Sequence, residues 1–167
     1  MNDTYVEVLV ARKKNPLVDV GRILSYVLAF VCFVMAILGS AVFFVGAIAF
    51  FLLAYIVFPR LDIEYEYLYI DKEISVDKIM SKEKRKNVYT VDLNRMEIMA
   101  PVSSHALDSY KARGLKSYDF TSRAEDAKVY SVVYESAQEG CVIVNIEPNA
   151  EMLNAIKTVF PRKVSEY

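Results

Sequence analysis

Hydrophobic and polar positions change period twice along the chain. Residues 4–11 (TYVEVLVA) alternate, with Tyr5, Glu7 and Leu9 on one face and Val6, Val8 and Val10 on the other, which predicts a strand. Alone it would be unstable, so it is expected to add to an edge of a larger sheet. Residues 23–58 then run for 36 positions without a charged side chain. As one helix that run is about 54 Å long, against a bilayer core of about 30 Å. It must therefore fold back. Gly39-Ser40 is the predicted turn, giving helices over 23–38 and 41–58 and hence a two-span transmembrane hairpin.

After Pro59-Arg60 the period returns to two. Residues 63–70 (IEYEYLYI) and 74–80 (ISVDKIM) read as a hairpin turning at 71–73, followed by a polar tip at 81–87. With 88–93 and 96–100 they predict a four-stranded antiparallel meander that Pro101 ends. Ser103 or Ser104 caps a short helix to about Arg113, with Ala106, Leu107 and Tyr110 as its apolar stripe and Gly114 closing it. Residues 116–120, 129–135 and 141–147 are further strands, the last two joined by a turn at Gly140. Asn149 caps a final helix with Met152, Leu153, Ile156 and Phe160 at helical spacing and Pro161 at its end. The fold class is α+β: an N-terminal transmembrane helical hairpin, then a mainly antiparallel β-sheet or partly open barrel closed by a C-terminal helix. The units are a strand-like and basic juxtamembrane segment (1–22), the hairpin (23–58) and one soluble domain (62–167).

Charge orients this arrangement. Arg12, Lys13, Lys14, Arg22 and Arg60 flank the outer ends of the hairpin and the Gly39-Ser40 turn has no cation, so both termini are expected in the cytoplasm of a multi-pass cell-membrane protein. The 12–14 triplet suits lipid headgroups, at about 1 kcal/mol per charge on an anionic leaflet. Reading 23–38 as a cleaved signal core, with Gly39, Ser40 and Ala41 as its small residues, fits poorly with the long leader and the second apolar run. Neither span holds an ionisable Asp, Glu, Lys, Arg or His, which argues against a carrier or pump. Three pairs of small residues, Ser25 with Ala29, Ala36 with Ser40 and Gly46 with Ala49, would allow close helix approach. Beyond residue 61 the chain has 15 basic and 18 acidic residues, unlike a nucleic-acid binder. Cys32 in the first span and Cys141 in a strand do not form a disulfide framework.

Candidate chemistry is sparse. A single histidine, His105, rules out a histidine cluster for a metal, and the Ser103-Ser104-His105 run is better explained by helix capping than by nucleophilic catalysis. No glycine-rich phosphate loop is present. The expectation is a non-enzyme without cofactor. The exposed feature that invites a ligand is the basic tip formed by Lys78, Lys82, Lys84, Arg85 and Lys86, although charged tips also keep hairpins soluble.

The stretch YLYIDKEISVDKIMSKEKRKNVYTVDLNRMEIM, with its hairpin, basic-polar tip and Asp-Leu-x-Arg strand entry, resembles the bacterial pleckstrin-homology-like domains found behind transmembrane hairpins, over about residues 63–161. The whole layout, with the closing PNAEMLNAIKTVFPRKV, is also similar to small two-span membrane proteins of Firmicutes, a likeness that brings a host group and no activity. The first resemblance implies a binding or scaffolding module at the inner leaflet, facing a membrane or cytoplasmic protein partner along an edge strand or beside the terminal helix. It also implies, as an alternative, anionic-lipid headgroup contact through the basic tip. From another class, the hairpin as a homo-oligomeric small pore is the rival.

Overall fold

A computed structural model describes residues 5–13, 16–80 and 84–165 and divides them into two compact units, one built on a helical pair and one on strands. Lys14 and Lys82 fall outside the described residues, as does the side chain of Arg60.

In the helical unit, α1 spans Pro16–Ile37. It starts at Pro16 rather than at Ile23, because proline's fixed φ suits a first helical position and Asp19 complements the positive helix end. Arg22 consequently lies inside the helix, exposed, instead of before it. Gly39, with φ +130°, makes the turn into α2 (Val42–Leu52), which continues as a π-helical turn Leu53–Val57 and a 3₁₀ turn Phe58–Leu61. The helices run antiparallel: Phe33 meets Phe44 at 5.9 Å, Tyr26 meets Phe51 at 6.3 Å, and a Cβ on Gly21 would strike Phe58. Their seam is made of small side chains, Ser25, Ala29, Ala47 and Ala54, which bring the backbones close. Ala49 is exposed, so Gly46 shares the seam with Ala47 and not with the Ala49 of the expected small pair. Pro16–Ile37 is long and apolar enough to cross a membrane; the apolar stretch Val42–Val57 is shorter.

The strand unit holds two four-stranded sheets. In the first the order is β1-β2-β3-β4 (Val6–Ala11, Ile63–Ile70, Glu73–Met80, Lys84–Asp92). As expected, the N-terminal strand joins an edge: β1 runs antiparallel to β2, with Val6 opposite Tyr69 and Ala11 opposite Glu64. Asp71 and Lys72 both take positive φ between β2 and β3, the turn whose twist matches that of the strands it joins. In the second sheet the order is β5-β7-β8-β6 (Met96–Pro101, Tyr130–Ser136, Gly140–Ile146, Lys116–Asp119).

The expected four-strand meander therefore breaks after β4. A 3₁₀ turn, Leu93–Arg95, re-aims the chain: the Asp92 carboxylate accepts from the Asn94 amide at 2.9 Å, and Leu93 is wholly buried beneath the turn. From there β5 pairs with β7, and β6 lies parallel to β8, an exception to the antiparallel pattern. Caps fall where the residue types placed them. Ser104 Oγ accepts from Ala106 N, Gly114 has φ +65°, and Asn149 Oδ1 accepts from Met152 N at the start of α4 (Ala150–Val159). The short α3 (Asp108–Ala112) buries Leu107 just before it, while Ala106, expected on its apolar stripe, is exposed because the segment opens as a 3₁₀ turn.

Between the sheets, Tyr65, Tyr67, Tyr69, Ile74, Val76 and Val91 of the first are buried, as are Met96, Met99, Val132, Val142, Val144 and Ile146 of the second. The Tyr67 hydroxyl crosses this interior to donate to the Phe120 carbonyl at 2.6 Å. Met152 and Ile156 of α4 are fully buried. The other face of the second sheet is covered by Leu107 and Tyr110, packed with Ala100, Val133 and Ile143. Beyond α4 the chain returns to β5, where Met99 N donates to Lys163 O and Ser165 N to Met99 O, both at 2.8 Å.

Candidate functional site

Within the strand unit one open groove of about 640 Å³ stands out. One wall is the edge strand β4, through Val88, Tyr89 and Thr90; the other is the end of β7 and the β7–β8 turn, residues 135–139, with Tyr118 of β6. The strand pattern puts Tyr89 on the inward face beside Val91, and Tyr118 and Tyr134 come from edge and central strands of the second sheet. Three tyrosines thus converge from separate segments. Tyr89 lies 4.5 Å from Tyr118 and 6.4 Å from Tyr134, ring centre to ring centre, and Tyr118 stacks on Phe120 with planes 2° apart.

Polar groups are fixed around these rings. The Tyr134 hydroxyl donates to Tyr89 Oη at 2.9 Å, and burial, reinforced by that bond, pushes the Tyr89 phenol well above its ordinary range. Tyr118 donates to both carboxylate oxygens of Glu139, at 2.7 and 2.8 Å, and Lys116 also donates to Glu139. The Lys116 bond, then the Tyr118 bond, hold Glu139 below the usual carboxylate range, and the same Glu139 contact raises Lys116. The groove thus presents three phenol rings, a Glu139 carboxylate fixed by Lys116 and Tyr118, Glu135, and an Asp92 side chain 3.8 Å from Arg95. Such a wall of rigid aromatic faces with anchored acceptors suits binding of an extended segment, whose backbone can pair with an open strand edge while its side chains meet the rings.

The basic tip is arranged differently from its appearance in sequence. Lys84 and Lys86 are exposed at the start of β4 and Lys78 is half-buried on β3. Arg85, although exposed itself, reaches a buried partner: its guanidinium donates to Glu66 Oε1 at 2.7 Å, and Glu66 is buried to 2 % exposure on β2. Arg12 is half-buried and Lys13 exposed.

In the Ser103-Ser104-His105 run, Ser104 serves as the cap and His105 Nδ1 pairs with Asp108 at 3.0 Å in the open. Cys141 is half-buried beside the Leu107 cluster, and burial pushes its thiol up. Among the described residues no group of three or more His, Cys, Asp or Glu is placed to hold a metal ion.

The groove residues carry no local signature. Tyr89, Tyr118 and Tyr134 lie on three different strands and Glu139 in the β7–β8 turn, and they meet only through the crossover from the first sheet to the second and the parallel placement of β6. The signal available in sequence was the abundance of tyrosine in strand-like stretches, which marks a half-buried face without locating it.

Two antiparallel-rich sheets packed face to face, a C-terminal helix and a groove beside an edge strand define an α+β domain of pleckstrin-homology-like type. The chain belongs to the family Bacterial PH-like domain (DUF6106), whose model matches residues 2–166. The match takes in β1 and the helical pair as well as the stretch whose motifs carry the resemblance. No curated protein and no solved structure matches the chain.

Proposed function

We propose that this protein is a non-catalytic binding module held at a membrane by its helical pair, with its PH-like domain and both termini in the cytoplasm, and that the tyrosine-lined groove beside β4 receives an extended segment of a protein partner. The observation that carries the reading is the groove itself: an edge strand and three preset aromatic rings in one open cleft. Tethering supports the reading further, since confinement to a surface raises effective concentration and lets weak contacts count. The apolar outer faces of α1 and α2 support a membrane location, and a two-span hairpin is the arrangement their antiparallel packing favours.

A photoreactive residue at Val88, in cells of the native host, tests this. The expected result is a discrete protein adduct that disappears when Tyr118 becomes alanine. A lipid adduct alone would replace the groove reading with headgroup contact through the basic tip. That second reading has a specific support in the exposure of Lys84 and Lys86, while Arg85 is already bonded to Glu66.

A further inference from the structure

Glu66 is the unexplained group of the strand unit. It projects from the face of the first sheet opposite Tyr65 and Tyr67, yet it is 2 % exposed. Its Oε1 accepts from Arg85, whereas Oε2 is buried and meets no donor. An acceptor left bare in that setting is costly, and more so when it carries charge. The neighbour at hand is Glu7 of β1. In the register Leu9 stands opposite Glu66 and Glu7 opposite Leu68, so the two carboxyls are diagonal neighbours on one face, and they interact directly. Glu7 in turn accepts from the Tyr5 hydroxyl at 2.6 Å. Two carboxylates have no proton to offer each other; one carboxylic acid beside one carboxylate does.

We propose that Glu66 and Glu7 share a single proton, donated from Glu66 Oε2 to Glu7, and that this proton seats the N-terminal strand β1 on β2. The charged and titratable groups facing the pair among the described residues are Tyr5 just before β1, Asp77 on β3 and Arg85 on β4. Asp77 is itself held by the Asn87 amide at 2.9 Å. Among the described residues Arg85 is the one cation in that group and acts on both Glu7 and Glu66, so a second negative charge beside that of Glu7 would lack compensation. Burial first, then the Glu7 contact, hold Glu66 above its usual range, while the Tyr5 hydroxyl first, then Glu66, hold Glu7 below.

The sign of the pH effect follows. The raised group contributes stability that is full below its free value of 4.5 and is lost as pH rises through its folded value. Glu7 works the other way and stays ionised, so β1 loosens on the alkaline side. The position of β1 gives this a consequence: β1 precedes the helical pair in the chain and β2 follows it, so the pairing of Ala11 with Glu64 joins the chain segments on either side of that pair. Deprotonation unties them.

Hydrogen exchange of the β1 amides in the full chain in detergent, corrected for intrinsic rates and followed from about pH 5 to about pH 9, reads the latch directly. In the native sequence protection of residues 6–11 should fall by up to about tenfold per pH unit between the free value of 4.5 and the folded value of Glu66 and level off above it, while β7 and β8 keep theirs. Glu66→Gln, whose amide still donates to Glu7 and accepts from Arg85, should remove that dependence. Equal pH dependence of β1 in both chains, or none in the native one, overturns the proposal. Should Glu66→Gln not fold, the infrared carbonyl band of a protonated carboxyl in glutamate-labelled native protein decides: a band persisting above the ordinary glutamate range supports the shared proton, and its absence overturns it.

Discussion

The two units sort their side chains in opposite ways. In the strand unit the largest apolar residues are the hidden ones: Ile74, Leu93, Met99, Ile156 and the ring of Tyr67 are wholly buried. In the helical pair the hidden residues are Ser25, Ala29, Ala47 and Ala54, while Leu38 and Val42 remain more than three-quarters exposed. The first is the order that water imposes on a chain. The second is a seam of small side chains that lets two backbones approach closely, the arrangement that helices in lipid use. Stability therefore rests on different quantities in the two units: buried apolar volume in one, smallness of the seam in the other.

Deleting volume should hurt most in the strand unit. Leu93→Ala, beneath the turn where the chain leaves one sheet for the other, is expected to cost about 2–5 kcal/mol. Urea unfolding followed by tyrosine fluorescence would measure it. A loss as small as that of an exposed leucine such as Leu38→Ala would break the contrast. Adding volume should hurt in the helical pair. Ala47→Leu forces side-chain atoms into a seam that has only a methyl there, at a cost of about 1–3 kcal/mol. The expected readout is a lower thermal midpoint in detergent, and an unchanged midpoint would mean that the helices separate without penalty.

How much of this was legible before the structure follows from range. Asn149, Ser104, Gly114 and Gly140 act through neighbours a few residues away, so caps and turns stood where residue type placed them. The N-terminal strand was legible as a sheet edge because an isolated strand has nowhere else to satisfy its backbone. Division of the strands into two sheets was not, because alternation reveals that a strand has a buried face and not which strand lies beside it. Leu93 looked like one more strand residue, and the Asp92–Asn94 turn that diverts the chain is short enough to pass for strand. Glu66 was hidden for a related reason. An acid between two tyrosines reads as a solvent-facing position, and only the register with β1 and the reach of Arg85 show it buried. The groove was the least visible feature, since its rings are brought together by topology alone.

The smallest expected effect sharpens the comparison within the strand unit, between its two sheets. Asp119 ends β6, and its carboxylate accepts from the Thr121 amide at 3.2 Å, the Thr121 hydroxyl at 2.6 Å and Arg123 Nε at 2.9 Å. Partial burial would raise this group, but the Thr121 bonds and then Arg123 outweigh it and hold the carboxyl below 3.8. Its contribution is thus present above that value and lost as pH falls through the folded one, the reverse of Glu66 on the first sheet. Because the side chain is more than a third exposed, solvent screening limits the effect to under about 1 kcal/mol. Thermal midpoints of the native chain and Asp119→Asn, compared from about pH 5 down to about pH 2, should converge as acid removes the charge that the variant already lacks. Parallel curves would show that Asp119 is bonded without being selected for its ionised form. Convergence would mean that the edge of the second sheet weakens in acid, while the edge formed by β1 weakens in base.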